Sequence, residues 1–311
     1  MPCRSVMGVP GVEVEHITQP LKEMFHMRTS ALTTIVPTTL AAAVIGTAGI
    51  ALQSAPAQAV ESVDAEKVVL AAQLDPAKNG TGTTPGAAGS VEIVEQALAD
   101  EGLLDAARVD GHFGSDTVDA YSDWQEEQGA SGEGANGLPG SGTLTALGEA
   151  GGFTVTNPID LGGKTTVDGQ TLNQRTADML AEAEEGAGVE LQVTQGSYNR
   201  GGVAASGGTH DGGGAVDIAT RHLSGSEREA AVTAMREVGF AAWDRTGVTN
   251  FDPHIHAIAI SDTDFASAAW KADRNRQVYD YYEDRDGLAD HGPDNGPDVD
   301  PVTWEDYQRS Q

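Results

Sequence analysis

Two short stretches of the sequence carry side chains that could bind a metal ion. The first, SGGTHDGGGAVDI (residues 206–218), holds His210 and Asp217 among small residues. The second, FDPHIHAIAI (residues 251–260), contains His254 and His256. Two histidines and one carboxylate are the usual protein ligands of a catalytic zinc ion, whose fourth position is left to water. Together the stretches predict a metal site, although HxH alone fits a pair of structural histidines equally well.

The secondary structure expected around these stretches would aim the side chains at one point. Strand alternation in HIHAIAI puts His254 and His256 on the same face of one strand. His210 lies in a glycine-rich turn, and Asp217 lies on the strand that follows. We expect the glycines at 212–214 to let the chain double back and to leave a cavity above His210 and Asp217.

The segments around the two motifs mix helical and strand patterns. Apolar residues have helical spacing in TLNQRTADMLAEAEEGAG and SGSEREAAVTAMREVGF, whereas VELQVTQGSY, GAVDIAT, AAWDR and HIHAIAI are typical of strands. We predict an α+β domain over residues 171–280, with helices on one side of a mainly antiparallel sheet. Residues 281–311 are predicted to be a solvated acidic tail, because their aspartates do not fit a calcium-loop spacing.

The first 59 residues are predicted to be a signal region. Arg28 precedes an apolar run over 31–52, and APAQA ends in a small-x-small cleavage pattern at Ala59. Translation would start at Met27 or Met24. An uncleaved membrane anchor is the alternative. We expect a secreted protein without stable membrane insertion after cleavage.

Charge and cysteine content narrow the classes of partner. The chain has 18 Lys and Arg against 47 Asp and Glu, a formal net charge of -29. Such a surface repels nucleic-acid phosphates and anionic lipids, so we expect no nucleic-acid partner. The one cysteine, Cys3, precedes the predicted cleavage site, so the mature chain would have no disulfide. We expect a monomer held by its core and a metal.

The region before the metal motifs divides into three segments. Residues 60–89 are rich in Ala, Gly, Thr and Pro and are predicted to be a flexible linker. Residues 90–152 show three short helical patterns with glycine-bearing turns, which predicts a small three-helix bundle. Residues 153–170 are predicted to be a second linker.

The motif order in residues 90–152 resembles the peptidoglycan-binding domain of cell-wall hydrolases. The resemblance is carried by Gln96 and Leu98, by Asp110 to Gly114 with Thr117, by Trp124 with Gln125, and by Gly137 to Leu147. It implies peptidoglycan as the partner and a cell-wall location. Core packing is the alternative to a ligand-stacking role for Phe113 and Trp124.

The two histidine stretches, in their order, resemble the zinc fold shared by bacterial D-alanyl-D-alanine peptidases and the amino-terminal signalling domain of hedgehog proteins. The resemblance covers about residues 165–265 and rests on S-x(2)-H-x(6)-D, with one residue inserted before the His, and on a later strand His. It implies that His210, Asp217 and His256 are zinc ligands. His254 matches a histidine that acts as base beside the metal water in related metallopeptidases; a spare ligand is the alternative.

Other positions depart from the family pattern. A carboxylate often lies three residues before the last ligand, where this chain has Pro253, and we expect the adjacent Asp252 to assist His254. The family's SGYR stretch corresponds to GSYNR here. It implies Ser197, Tyr198 and Arg200 as substrate-pocket residues, with a structural turn as the alternative.

Taken together, the two resemblances imply a secreted zinc peptidase that acts on peptidoglycan stem peptides, as a D,D-carboxypeptidase or an endopeptidase. Residues 90–152 would anchor it to the cell wall. A non-catalytic wall-binding protein with a structural zinc site is the alternative.

Overall fold

The computed structural model of the protein describes residues 60–78, 80, 82–249, 251–267 and 276–311. The predicted signal region, with its cleavage position at Ala59, lies outside them. Across the described ranges the chain is mixed α and β, with eight α-helices and small, mainly antiparallel sheets. The helices are α1 (Ala65–Leu74), α2 (Ala88–Asp100), α3 (Ser115–Glu127), α4 (Ser141–Gly151), α5 (Gln174–Ala187), α6 (Gly225–Glu237), α7 (Gln277–Tyr282) and α8 (Trp304–Ser310).

Eight strands accompany these helices in the described part of the chain. They are β1 (Ser62–Asp64), β2 (Thr154–Thr156), β3 (Lys164–Val167), β4 (Gln170–Asn173), β5 (Val193–Gln195), β6 (Ala215–Ala219), β7 (Phe240–Asp244) and β8 (His254–Ala259). β1 pairs in parallel with β2, β3 pairs antiparallel with β4, and the last four strands form one antiparallel sheet.

The N-terminal segment is ordered rather than a flexible linker. β1 and α1 both lie within residues 60–89, and α1 buries Val68 and Leu74 against the core. Asp64 caps α1 by accepting a hydrogen bond from the backbone N–H of Lys67. The alanines of α1 are small enough to let the helix approach its neighbours closely, and this contact holds the segment in place.

Residues 153–170 also form structure instead of a linker. β2 and β3 lie in this range, and β3 is joined to β4 by a two-residue turn. Asp168 and Gly169 in that turn both have positive φ, 49° and 79°. This is the backbone of a hairpin turn whose twist matches the flanking strands.

The main sheet has the strand order β5-β6-β8-β7, and all of its pairings are antiparallel. α5 and α6 lie on one face, where Met179, Val232 and Met235 pack against Val216 and Ile255. The antiparallel sheet was predicted, but helices lie on both of its faces rather than on one. On the opposite face, Trp243 and Ile258 belong to a hydrophobic core shared with the N-terminal helices and α7, beside the polar side chains described below.

The C-terminal residues pack onto this sheet, which differs from the solvated tail predicted for 281–311. Trp304 at the start of α8 is buried in the same core as α6. The Nε of Arg175 on α5 donates to Glu305 at 2.8 Å, and Arg236 on α6 forms an ion pair with Asp294. A buried aromatic ring and two ion pairs made by buried arginines therefore fix the acidic segment.

Polar side chains join the N-terminal helices to the residues that follow β8. Gln73 on α1 donates to the carbonyl of Asp262 and accepts from the backbone N–H of Ser261. Asn136 donates to the carbonyls of Thr263 and Phe265. Contacts of this kind make the described residues one compact unit.

Candidate metal centre

The pairing of β6 with β8 brings the two histidine stretches together. Asp217 lies opposite His256 in the ladder, and Ala219 lies opposite His254. Because side chains alternate along each strand, Asp217, His254 and His256 all point to the face of the sheet that α5 and α6 leave open. His210 reaches the same point from the turn that precedes β6.

The glycines before β6 serve a different purpose from the cavity expected for them. A Cβ at position 212 would lie 2.2 Å from the backbone N of Ala266, and one at 214 would lie 2.3 Å from the ring of Phe265. Gly214 also has a positive φ of 75°. The missing side chains therefore make room for the main chain and ring of residues 264–266.

His210, Asp217 and His256 form a largely buried group that could hold a metal ion. Their ligand atoms all lie within 4.8 Å of one another. Oδ1 of Asp217 is 2.8 Å from Nδ1 of His256 and 3.3 Å from Nε2 of His210. The three residues predicted to be metal ligands are thus brought to one point.

Hydrogen bonds to the far side of each ring fix which nitrogens carry protons. Nδ1 of His210 lies 2.9 Å from the carbonyl oxygen of Gly196, so it must be the donor and Nε2 carries a lone pair. Nε2 of His256 lies 3.2 Å from Oε1 of Gln277, whose Nε2 donates to the carbonyl of Gly287. In the neutral ring, Nδ1 of His256 is therefore the atom with the lone pair.

If both rings are neutral, these lone pairs face the Asp217 carboxylate, so the contacts at 2.8 and 3.3 Å need either a proton or a cation between the atoms. Nε2 of His210 is buried and has no hydrogen-bond partner among the described residues. Three acceptors at such distances repel one another, and a cation bound among them would relieve the repulsion. The donor set and the unpartnered buried nitrogen both fit a bound metal ion.

The charges of the group agree with this assignment. Burial lowers the pKa of His256 more than the nearby Asp217 raises it, so the neutral ring is favoured. Burial opposes ionisation of Asp217, but hydrogen bonds and positive charge from the imidazoles of His210 and His256 outweigh burial and hold its pKa below the usual range; a bound cation would replace the protons that these contacts require. A neutral imidazole and an ionised carboxylate are the ligand forms that metals bind.

His254 stands beside the metal-binding group rather than within it. Its Nε2 is 3.7 Å from Oδ1 of Asp217, and its Nδ1 lies 2.6 Å from the backbone carbonyl of Asp252. The carbonyl requires Nδ1 to be the donor, which leaves Nε2 free to accept a proton. Asp252 thus contacts His254 through its main chain, whereas the sequence suggested its carboxylate.

A groove of about 1250 Å³ runs along this face of the sheet. It is lined by the metal-binding residues, by Asp252 and His254, and by apolar residues that include Leu223 and Phe251. The metal-binding group therefore forms part of the wall of a groove large enough for a short peptide.

The residues expected to form a substrate pocket lie elsewhere. Ser197 is buried and its hydroxyl donates to the carbonyl of Ala215. Tyr198 has a positive φ of 56° and its hydroxyl donates to Asp264. Arg200 is exposed near Gly132. None of these three predicted residues lines the groove; they lie in the turn before the metal motif.

Three residues beside the metal-binding group were not predicted from the sequence to lie there. Gln277 holds the ring of His256, and Trp243 stacks on the same ring with centroids 6.4 Å apart and planes inclined by 13°. Arg245 follows Trp243 and lines the groove. Strand alternation within AAWDR predicts that Trp243 and Arg245 share one face of their strand. The sequence does not show that this face also carries His256.

Comparison with known proteins identifies no relative of this chain. No family model, no curated protein and no solved structure matches it. In the described ranges, no helix combines the length and hydrophobicity needed to cross a bilayer.

Proposed function

We propose that the protein is a secreted zinc-dependent peptidase that cleaves peptidoglycan stem peptides, as a D,D-carboxypeptidase or an endopeptidase. The proposal is carried by one observation: two histidine nitrogens and a carboxylate oxygen converge within 4.8 Å at the wall of a groove. Two imidazoles and one carboxylate are a donor set of catalytic zinc sites. When bound, zinc polarises a carbonyl and lowers the pKa of its water to about 7.

The residues around the group have separate tasks in this proposal. His210, Asp217 and His256 hold the ion, and Gln277 fixes the ring of His256. His254 has a free Nε2 in the groove and acts as the general base, which contributes ~10²–10⁴-fold in rate when well placed. The backbone carbonyl of Asp252 orients that ring.

A structural zinc site in a non-catalytic wall-binding protein is the competing function. It would need a fourth protein ligand, and His254 is the nearest candidate, with Nε2 3.7 Å from Oδ1 of Asp217. His254 does not belong to the group whose ligand atoms lie within 4.8 Å of one another. This favours an open coordination position that faces the groove.

The proposed anchor to the wall is residues 90–152, on the strength of their sequence resemblance. Phe113 and Trp124 are buried, and the indole of Trp124 donates to the carbonyl of Thr143 at 3.0 Å. Both rings therefore belong to the core of this region. Contact with glycan would have to come from exposed residues around them.

The test is incubation of the protein from Val60 onward with cross-linked peptidoglycan, with and without a chelator, followed by mass spectrometry of released peptides. We expect release that the chelator abolishes and zinc restores. His256→Ala should abolish it as well, whereas His222→Ala should not, because His222 is exposed and lies outside the groove. Release that survives both the chelator and His256→Ala would refute the metallopeptidase. A tightly bound zinc ion without any release would support the structural site.

A further inference from the structure

Among the described residues, none forms an ion pair with a guanidinium group in the groove, that of Arg245. Arg245 is 3% exposed and lines the groove. Its Nη2 is buried and makes no hydrogen bond to any residue in the described ranges. Leaving a buried charged donor unpaired costs more than leaving a neutral one, so an arginine in this state points to a ligand that completes it.

The side chain is held in place by packing rather than by an ion pair. The guanidinium lies 5.1 Å from the centre of the Trp243 indole, which stacks on His256. The indole nitrogen of Trp243 donates to the carbonyl of Arg285 at 3.0 Å, which fixes the ring. One rigid aromatic ring therefore positions both a metal ligand and the cation beside it.

The nearby carboxylates do not neutralise Arg245. Burial lowers its pKa to about 10, and the charges of Asp286, Asp294 and Asp217 act against this, so the group is charged at neutral pH. Asp294 is already paired with Arg236. Since these acidic residues repel a second negative charge, a monoanionic carboxylate suits the position better than a dianionic phosphate.

A second unpartnered group lies on the other side of the metal-binding residues. Gln195 lines the groove, is mostly buried, and pairs with Asp217 in the ladder between β5 and β6. Its Nε2 has no hydrogen-bond partner in the described part of the chain. A neutral amide suits the polar groups of a peptide bond, whereas the cation of Arg245 suits a carboxylate.

We propose that Arg245 binds the C-terminal carboxylate of a peptide whose chain runs along the groove past the metal-binding group towards Gln195. The groove would then select peptides with a free C-terminus. Cleavage of such a peptide rests on the function proposed above, whereas its binding does not. Bidentate recognition of a carboxylate by arginine combines charge attraction with a fixed geometry of two hydrogen bonds. Removal of either the guanidinium or the carboxylate should therefore weaken binding measurably.

The experiment compares two probes, an N-acetylated peptide ending in D-Ala-D-Ala and its C-terminal amide. Binding to the zinc-loaded protein is measured by calorimetry, and release of D-alanine or its amide is measured in parallel. We expect the free acid to bind ~10- to 100-fold more tightly, the range of a charge-assisted hydrogen bond. Arg245→Met should reduce this preference to less than ~3-fold. Arg108→Met should retain it, because Arg108 lies outside the groove, is exposed and is paired with Asp116.

The two readouts separate the two proposals. A preference in binding that depends on Arg245, without cleavage of either probe, would keep the carboxylate site and reject the peptidase. Equal binding of acid and amide by the wild-type protein would overturn the role of Arg245. The same holds if Arg245→Met keeps the preference at unchanged zinc content. Should Arg245→Met fail to fold, Arg245→Lys retains the charge without the fork, and a full preference in that variant would also overturn bidentate binding.

Discussion

The buried carboxyl of Asp262 should make the stability of the protein fall as pH rises from 4 to 6. Asp262 is fully buried, and burial raises its pKa from 3.8 to about 6, against hydrogen bonds from Asn173 and from the backbone N–H of Asp264. The folded state therefore holds this proton more tightly than the unfolded chain. Its contribution is complete below pH 4 and is lost as pH rises through 6.

The size of the effect follows from that difference. Two pH units between the folded and unfolded pKa correspond to about 3 kcal/mol in the free energy of unfolding, at ~1.4 kcal/mol per unit. Asp262→Asn removes the titration. We therefore expect the stability of the variant, relative to wild type, to rise by about 3 kcal/mol between pH 4 and pH 7.

Urea unfolding followed by circular dichroism, in the presence of chelator at each pH, measures this difference without a contribution from bound metal. Subtraction of wild type from variant cancels the titration of the other carboxylates, which the two proteins share. Asp123→Asn is the control, because that carboxyl is exposed on α3 and is not among the groups that shift the pKa of Asp262, and it should leave the wild-type pH dependence in place. A difference between Asp262→Asn and wild type that stays constant from pH 4 to 7 would refute the reasoning.

Two further predictions concern the metal ligands and the turn before β6. Gln277→Leu removes the acceptor of the His256 Nε2–H, so zinc affinity measured by competition with a chromogenic chelator should fall ~10- to 100-fold; unchanged affinity would mean that Gln277 does not orient the ring. Gly214→Ala places a Cβ 2.3 Å from the ring of Phe265 at a positive φ, and we expect a loss of ~2 kcal/mol or more in unfolding free energy. Gly89→Ala, in α2 with open space around the Cβ, should be neutral or stabilising by up to ~1 kcal/mol; equal losses in both variants would contradict the steric argument.

The part of the site that could be predicted from sequence is the part set by local periodicity. Alternation in HIHAIAI aligns His254 with His256, and Asp217 lies on a strand because GAVDIAT is short and apolar. The placement of α5 and α6 follows equally from helical spacing. These features depend on neighbours in the chain, so no knowledge of tertiary contacts was needed.

The features of the site that the sequence does not predict depend on contacts between segments that are distant in the chain. Gln277 reaches His256 from another element, and nothing near either residue encodes that pairing. The glycines at 212–214 showed that something approaches the backbone, but their spacing does not say whether it is a ligand or the chain at 264–266. The sequence does not predict α1, because its alanines give little contrast in hydrophobicity between the faces of the helix. The Asp168-Gly169 pair, in contrast, is a sequence signal for a hairpin turn, although residues 153–170 were predicted to be a linker.

The hydrogen bonds of Gln73 and Asn136 to the chain after β8 have a consequence for any action on a solid substrate. A binding module on a loose tether lets an enzyme search a sphere around each attachment point. Here these hydrogen bonds fix the N-terminal helices to the chain after β8 within one compact unit, so the groove would keep a constant height and angle above any surface that the proposed anchor binds. An enzyme that acts on a polymer network would then have to detach and rebind to reach each new part of the network.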